Sequence, residues 1–275
     1  MERTITDNFK WLSEDTANNW IIENSIIFDA AKFAFKTHPN MTPVEAHDIF
    51  KSLSGDNYSL SLFAKFCHAL FGFLTDVVPK ASVLAPTVSV YLRTPITDKA
   101  YEVFSSLYPG LRAIYSHDFK SVCEDVYYDR ADSCIIPLES SSDGLLMPFR
   151  NMLLKYELKI AAVTRVTSAE DSVQSLALVT GGETDTSGNV LEAYLPGLTP
   201  KDFGALCEAV SEINCDIIRV TSIESLEDGL YDHHICFSSN RNLLSVLKYF
   251  LSGKYPAHII LGQYKNQLSK GNSRK

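Results

Sequence analysis

Ile135-Ile136-Pro137-Leu138-Glu139-Ser140-Ser141-Ser142-Asp143-Gly144 leaves an apolar run through a proline and enters a serine-rich turn. Three hydroxyl residues, the carboxylate of Glu139 and a closing glycine bring backbone amides, hydroxyls and an acid into one bend. That is the composition of a cradle for a small anion. The same residues also describe a strand-to-helix connection in which a serine caps the helix. The flanking elements decide how the stretch is read.

Ser133-Cys134-Ile135-Ile136 reads as a strand, and residues 145–155 as a helix with Leu145, Leu146, Phe149, Met152 and Leu153 inward. Upstream, Val88, Val90 and Leu92 alternate as in a strand. Residues 98–107 follow as a helix with Ala100, Val103, Phe104 and Leu107 inward, then a strand at 112–115 and a helix at 118–127. Downstream come strands at 158–165 and 176–180. Strands alternating with helices predict a mostly parallel sheet with helices on its faces, an α/β lobe.

Residues 181–188 are a loop by composition. Beyond it the order is strand 190–195, helix 200–212, strands 215–223 and 231–238, helix 242–251 and strand 258–262, a ferredoxin-like βαββαβ module. Residues 1 to 80 read as helical. Ile26, Ile27, Ala30, Phe33 and Ala34 recur at helical spacing, and Thr42-Pro43-Val44-Glu45 is a helix start. A further helix from Tyr58 carries Leu62, Phe63, Phe66, Leu70, Phe71 and Phe73, with Asn57 or Ser59 as its cap. Pro79 and Pro86 bracket a linker. The expected domains are a helical domain 1–84, an α/β lobe 85–181, a βαββαβ module 182–265 and a disordered tail 266–275.

The 275 residues are 45% hydrophobic and 21% charged, the balance of a globular protein. A net charge of −8 argues against nucleic acid or an anionic membrane surface as partner. Six cysteines without a Cys-x-x-Cys pair read as buried thiols in a reducing compartment. With neither an apolar leader at the N-terminus nor a membrane-length apolar run, a cytoplasmic protein is expected.

The middle and C-terminal parts of the chain resemble the prephenate dehydratase family with its C-terminal regulatory ACT domain. Ala131-Asp132 leading into Pro137-Leu138-Glu139-Ser140-Ser141-Ser142-Asp143-Gly144 is similar to the family's Ala-Asp strand and Pro-Ile-Glu-Asn-Ser-x-x-Gly turn. Leu153-Leu154 and Leu158-Lys159-Ile160 fall where the family has its Leu-Leu helix and next strand. Gly204-Ala205-Leu206 and Ile223-Glu224-Ser225 stand at the spacing of the ACT motifs Gly-Ala-Leu and Ile-Glu-Ser-Arg-Pro, and Leu261-Gly262-Gln263-Tyr264 looks like the closing Leu-Gly-x-Tyr. The resemblance implies a lobe like that of periplasmic binding proteins and a homodimer. It also implies an aromatic amino acid such as phenylalanine, held by Gly204, Ala205, Leu206, Glu224 and Ser225, and no cofactor.

The sequence departs from the family where its chemistry lies. The family's Gly-Pro-x-Gly-Thr turn is here Arg93-Thr94-Pro95-Ile96-Thr97, which removes two glycines that let backbone approach an anion. Ser140 replaces an asparagine whose amide donates two hydrogen bonds. Gln174-Ser175-Leu176 stands for Thr-Arg-Phe, and only about ten residues, 166–175, occupy the place of a second lobe. Without that wall, water enters the cleft and electrostatic stabilisation weakens. Thr97, Glu139, Ser140 and Ser141 are then vestigial candidates for catalysis.

Fused family members carry a chorismate mutase where the helical residues stand. This region has one arginine, Arg3, with Lys10, Lys32, Lys36, Lys51 and Lys65 as further candidates to hold a dianion. Gly204 either admits a ligand or allows a helix to approach the sheet. His233 and His234, adjacent in a strand, point to opposite faces and cannot share a metal. Glu124, Asp125, Asp129 and Asp132 read as solvated charges. The functional expectation is a non-catalytic sensor of an aromatic amino acid or binder of a partner. The alternatives are an active bifunctional mutase and dehydratase, and a structural assembly module.

Overall fold

The computed structural model describes residues 19–74, 85–167, 172–182 and 188–265. The expected linker, the tail, Arg3 and Lys10 lie outside the described residues. Two compact units make up the chain, one of residues 81–193 with 259–275 and one of residues 1–80 with 194–258. The helices within residues 19–74 thus share a unit with most of the βαββαβ segment.

In the first unit, β1 (Val88–Leu92), α4 (Pro95–Leu107), β2 (Arg112–Ser116), α5 (Phe119–Tyr127) and β3 (Ser133–Ser140) follow in order. Next come β4 (Gly144–Leu145), α6 (Met147–Lys155), β5 (Lys159–Thr167), β6 (Val173–Thr180) and the start of β7 (Val190–Leu198), and β10 (Ile259–Tyr264) completes the unit. The strand order is β2-β1-β3-β6-β5-β10, with β7 after β10. β1 pairs in parallel with both β2 and β3. β6, however, is antiparallel to both its neighbours, which corrects the expectation of a mostly parallel sheet. The reason is local: with Thr167 paired to Val173, the chain has no length for a crossover helix and must return as a hairpin.

Helix α4 starts three residues before the expected Asp98, because Thr94 serves as cap and Pro95 occupies the first turn, where a missing N–H costs nothing. Its buried Ala100 and Phe104 join Tyr91, Ile135, Leu176 and Leu178 in the core. Burying a phenylalanine such as Phe104 contributes roughly 2 to 3 kcal/mol. Leu107, expected inward, is exposed, because it sits in the last turn where the helix leaves the sheet.

In the second unit, α1 (Asn19–Thr37), α2 (Pro43–Ser54) and α3 (Leu60–Leu74) pack with α7 (Pro200–Glu212) and α8 (Arg241–Lys254). Ser59 takes the N–H of Leu62 and caps α3. Phe63 is the hub, its ring 5.7 Å from that of Phe50 and 5.6 Å from that of Phe250. On α1 the buried stripe is Ile27, Ala30, Ala31 and Ala34, while Phe33 is exposed. Small alanines let helices approach, and the expected inward Phe33 sits one step off that stripe. The sheet of this unit continues β7 with β9 (Tyr231–Ser238) and β8 (Asp216–Glu224), β8 being outermost. Among the described residues no helix is long and apolar enough to cross a membrane.

Candidate functional site

A cavity of about 320 Å³ opens where parallel strands β1 and β3 end, lined by residues of the first unit only. Leu92, Thr94, Ile96 and Thr97 come from the β1–α4 junction, Phe119 from the start of α5, and Pro137 and Ser140 from β3. Asp143 and Leu146 flank β4, and Gln174 and Leu176 come from β6. Carboxyl ends of parallel strands are where open α/β sheets place ligands.

A β-bulge chooses which residues of the quoted stretch face this cavity. Pro137 pairs with Leu176, but the register then shifts so that Glu139 pairs with Ser175 and Ser140 with Gln174. Directly opposed residues share a face. Pro137, Leu176, Ser140 and Gln174 therefore line the cavity, and Glu139 with Ser175 turns away from it. Ser175 donates to Glu139 Oε2 at 3.4 Å, and Arg150 Nη2 lies 3.9 Å from Glu139 Oε1. Of the four vestigial candidates, Thr97 and Ser140 meet in the cavity and Glu139 does not. Ser141 accepts from the N–H of Val173 and pins the hairpin to β6.

The hydroxyls are committed to structure. Thr97 Oγ1 donates to the carbonyl of Leu92 at 2.7 Å and accepts from the N–H of Thr94 at 2.9 Å. Thr94 Oγ1 in turn accepts from the N–H of Thr97, closing a capping box. Ser142 donates to Asp143 Oδ2 at 2.8 Å and lies 2.7 Å from Ser140 Oγ, so the proton between the two serines belongs to Ser140. Gly144 closes this three-residue turn at φ +69°, a left-handed conformation that glycine adopts without a Cβ penalty. None of the described residues lining the cavity is basic.

The most deeply set charge nearby is Arg150, which the sequence reading missed. It is wholly buried and donates from Nε to Glu192 Oε1 at 2.7 Å and from Nη1 to the carbonyl of Leu138 at 2.6 Å. Tyr264 Oη donates to the other Glu192 oxygen at 3.0 Å. The Leu261-Gly262-Gln263-Tyr264 stretch thus serves this unit: Gly262 pairs with Ile160, and Gln263 Nε2 donates to the carbonyl of Gly188.

In the second unit, Gly204 is exposed on α7, and a Cβ there would meet nothing within 4 Å. Helix-against-sheet packing within the chain therefore does not need this glycine. Ala205 is half-buried and Leu206 buried. Glu224 is exposed at the end of β8, and the Ser225 N–H donates to the carbonyl of Leu230 in the following turn. Phe203, one residue before Gly204, stacks on the buried His233 at 4.4 Å, and Ser222 bonds the same ring at Nδ1. His234 instead packs its ring against Tyr194. Burial holds the His233 imidazole below its ordinary pKa against an opposing pull from Asp232.

The candidate cations of the helical region are dispersed. Lys32, Lys36 and Lys51 are exposed. Lys65 is half-buried but lies 2.7 Å from Glu23 and 3.6 Å from Glu212. Burial alone would lower its pKa, but the two carboxylates outweigh burial and raise it. The acidic residues near α5 also have structural partners. Asp125 holds Arg130 at 2.7 Å, and Asp132 accepts from Thr87 and from the N–H of Val88, which keeps its carboxyl below the usual range.

An α/β lobe with a cavity at a strand-switch edge, joined to a βαββαβ segment, is the class of protein that fold and site define. No family model and no curated protein sequence matches the chain. Its fold is similar to solved structures. The prephenate dehydratase of Streptococcus mutans aligns at 18% identity and a TM-score of 0.54 over 65% of this chain and 97% of that one. The prephenate dehydratase of Arthrobacter aurescens in complex with L-Phe aligns at 14% identity and a TM-score of 0.50 over 65% and 90%. GqqA, described as a novel type of quorum quenching acylase, aligns at 12% identity and a TM-score of 0.51 over 65% and 94%. The likeness defines the fold as that of the prephenate dehydratases.

Proposed function

We propose that the chain is a non-catalytic protein of the prephenate dehydratase fold. In this reading it senses an aromatic amino acid through an ACT-like βαββαβ module and works in the cytoplasm as a homodimer. The observation that carries the reading is the cavity at the carboxyl ends of β1 and β3, where no described lining residue is a cation and the threonine hydroxyls cap a helix. Dehydrating a dianion requires counter-charge at its carboxylates and a free proton donor at the leaving hydroxyl.

The module supports the sensing half. Gly204 leaves open space on α7, with Ala205 beside it and Leu206 anchored in the core. An amino acid would dock against Gly204 and Ala205, with Glu224 and Ser225 at the end of β8 receiving its ammonium group. The Arthrobacter aurescens relative, solved with L-Phe, makes phenylalanine the first probe. The acylase chemistry named for GqqA finds no support, since no histidine lines the cavity to activate Ser140 or Thr97.

Incubation of the purified chain with chorismate and with prephenate is expected to give no turnover above background. Phenylalanine, tyrosine or tryptophan at millimolar concentration is expected to raise the melting temperature, because a ligand that binds only the native state stabilises it. Turnover of either substrate removes the non-catalytic reading. Silence towards all three amino acids removes the sensor and leaves an assembly module.

A further inference from the structure

We infer that the lobe cavity is a second binding site, for a primary amine on a compact apolar body, with the ammonium group on Asp143. The inference rests on the reading that this cavity does not process a dianion. Its volume of about 320 Å³ lies at the small end of ligand pockets. Ile96, Phe119, Leu146 and Leu176 give it an apolar wall suited to a phenyl or branched alkyl group.

Polarity at the other end has a direction. Asp143 Oδ2 receives the Ser142 proton, so Ser140 must donate to Ser142 and the hydroxyl chain points its hydrogens at the carboxylate. Among the described residues lone pairs remain: one on Ser140, the Oδ1 oxygen of Asp143 and the amide oxygen of Gln174, whose NH2 is the one side-chain donor beside them. An acceptor-rich rim with one carboxylate matches an ammonium group, which carries three donors and no acceptor.

The opposite fit, a carboxylate on the α4 terminus, is closed off. Pro95 has no N–H, the N–H of Thr97 goes to Thr94 Oγ1, and the N–H of Asp98 goes to the carbonyl of Thr94. Only Ile96 keeps a first-turn donor. Arg93, next to the lining residue Leu92, lies 3.4 Å from Asp98 and over the ring of Tyr115 and does not line the cavity.

Titration calorimetry on the full chain with 2-phenylethylamine, 2-phenylethanol and 3-phenylpropionate tests this. The amine is expected to bind best and the carboxylate worst. Asp143→Asn, in an exposed turn, is expected to weaken the amine by about fivefold or more while leaving the alcohol unchanged. Leu146→Trp, which fills the cavity, is expected to remove binding of all three. Carboxylate binding as tight as that of the amine, undiminished amine binding in Asp143→Asn, amine binding that survives Leu146→Trp, or no amine binding at millimolar concentration each overturns the proposal. The two readings fail separately, because turnover of prephenate by the wild-type chain overturns the non-catalytic reading, whereas amine binding is measured without any substrate.

Discussion

Arg150 and Glu192 form an ion pair at 2.7 Å with both side chains buried, tying α6 to β7. The pair is extended on both sides. Tyr264 and the carbonyl of Leu138 take up the next positions, while Arg150 Nη2 has no hydrogen-bond partner among the described residues and lies 3.9 Å from Glu139. A guanidinium taken out of water is tolerated because Glu192 supplies its counter-charge and the carbonyl of Leu138 a second acceptor; removing either charge takes that compensation away.

Arg150→Met is accordingly expected to cost about 3 to 5 kcal/mol, because the buried Glu192 loses its counter-charge. The double variant Arg150→Met with Glu192→Leu should recover most of that loss, since two apolar groups replace two desolvated charges. Urea denaturation of the four proteins of this cycle measures the coupling. A double variant no more stable than Arg150→Met would show that the loss comes from packing and not from the stranded carboxylate.

This pair also marks the limit of what the residues disclosed. Strand, turn and Gly144 were legible because the apolar run, the serines and the glycine act within a few residues. Arg150, inside Met147-Pro148-Phe149-Arg150, has no local sign of burial, and its partner lies 42 residues on. The bulge after Pro137 was equally hidden, since it is a relation between β3 and β6, and it alone decides that Ser140 rather than Glu139 faces the cavity. Phe33 and Leu107 were misplaced for a related reason: a helical stripe wide enough to include them does not say where the neighbouring element stops.

Thr97→Val tests whether the threonine is structural. Valine has nearly the same shape but neither donates to Leu92 nor accepts from Thr94. A loss of about 1 to 2 kcal/mol is expected from thermal or chemical denaturation, the usual cost of removing a cap together with a buried hydroxyl bond. Stability unchanged within error would free Thr97 for another role.

Two glycines should respond in opposite directions. At Gly188 a Cβ would collide with the backbone of Tyr264, which cannot move as a side chain can, so Gly188→Ala is expected to cost about 2 kcal/mol or more. At Gly204 no atom lies within 4 Å, and the residue sits inside α7. Gly204→Ala should therefore add about 0.5 to 1 kcal/mol through helix propensity. The same variant is expected to lose the thermal shift given by aromatic amino acids. A stabilised protein that keeps the full shift would remove Gly204 from the ligand site.

His233 links pH to stability in the unit that carries the module. It is buried beneath Phe203, bonded at Nδ1 to Ser222, and its Nε2 has no hydrogen-bond partner among the described residues; burial lowers its pKa more than Asp232 raises it. The unfolded chain, with an ordinary imidazole near pKa 6.5, takes up the proton first. Stability is therefore complete above that value and falls as the pH drops through it towards the lower folded pKa, by up to about 1.4 kcal/mol per pH unit for one group. His47 is lowered as well, chiefly by burial and then by Lys254, so the wild-type slope contains both. In His233→Gln the amide keeps a contact for Ser222 but has no proton to take up. Unfolding free energies measured by urea between pH 7.5 and 5 should give a shallower slope in this variant than in the wild type, while a slope unchanged in His233→Gln would remove His233 as a source of the acid sensitivity.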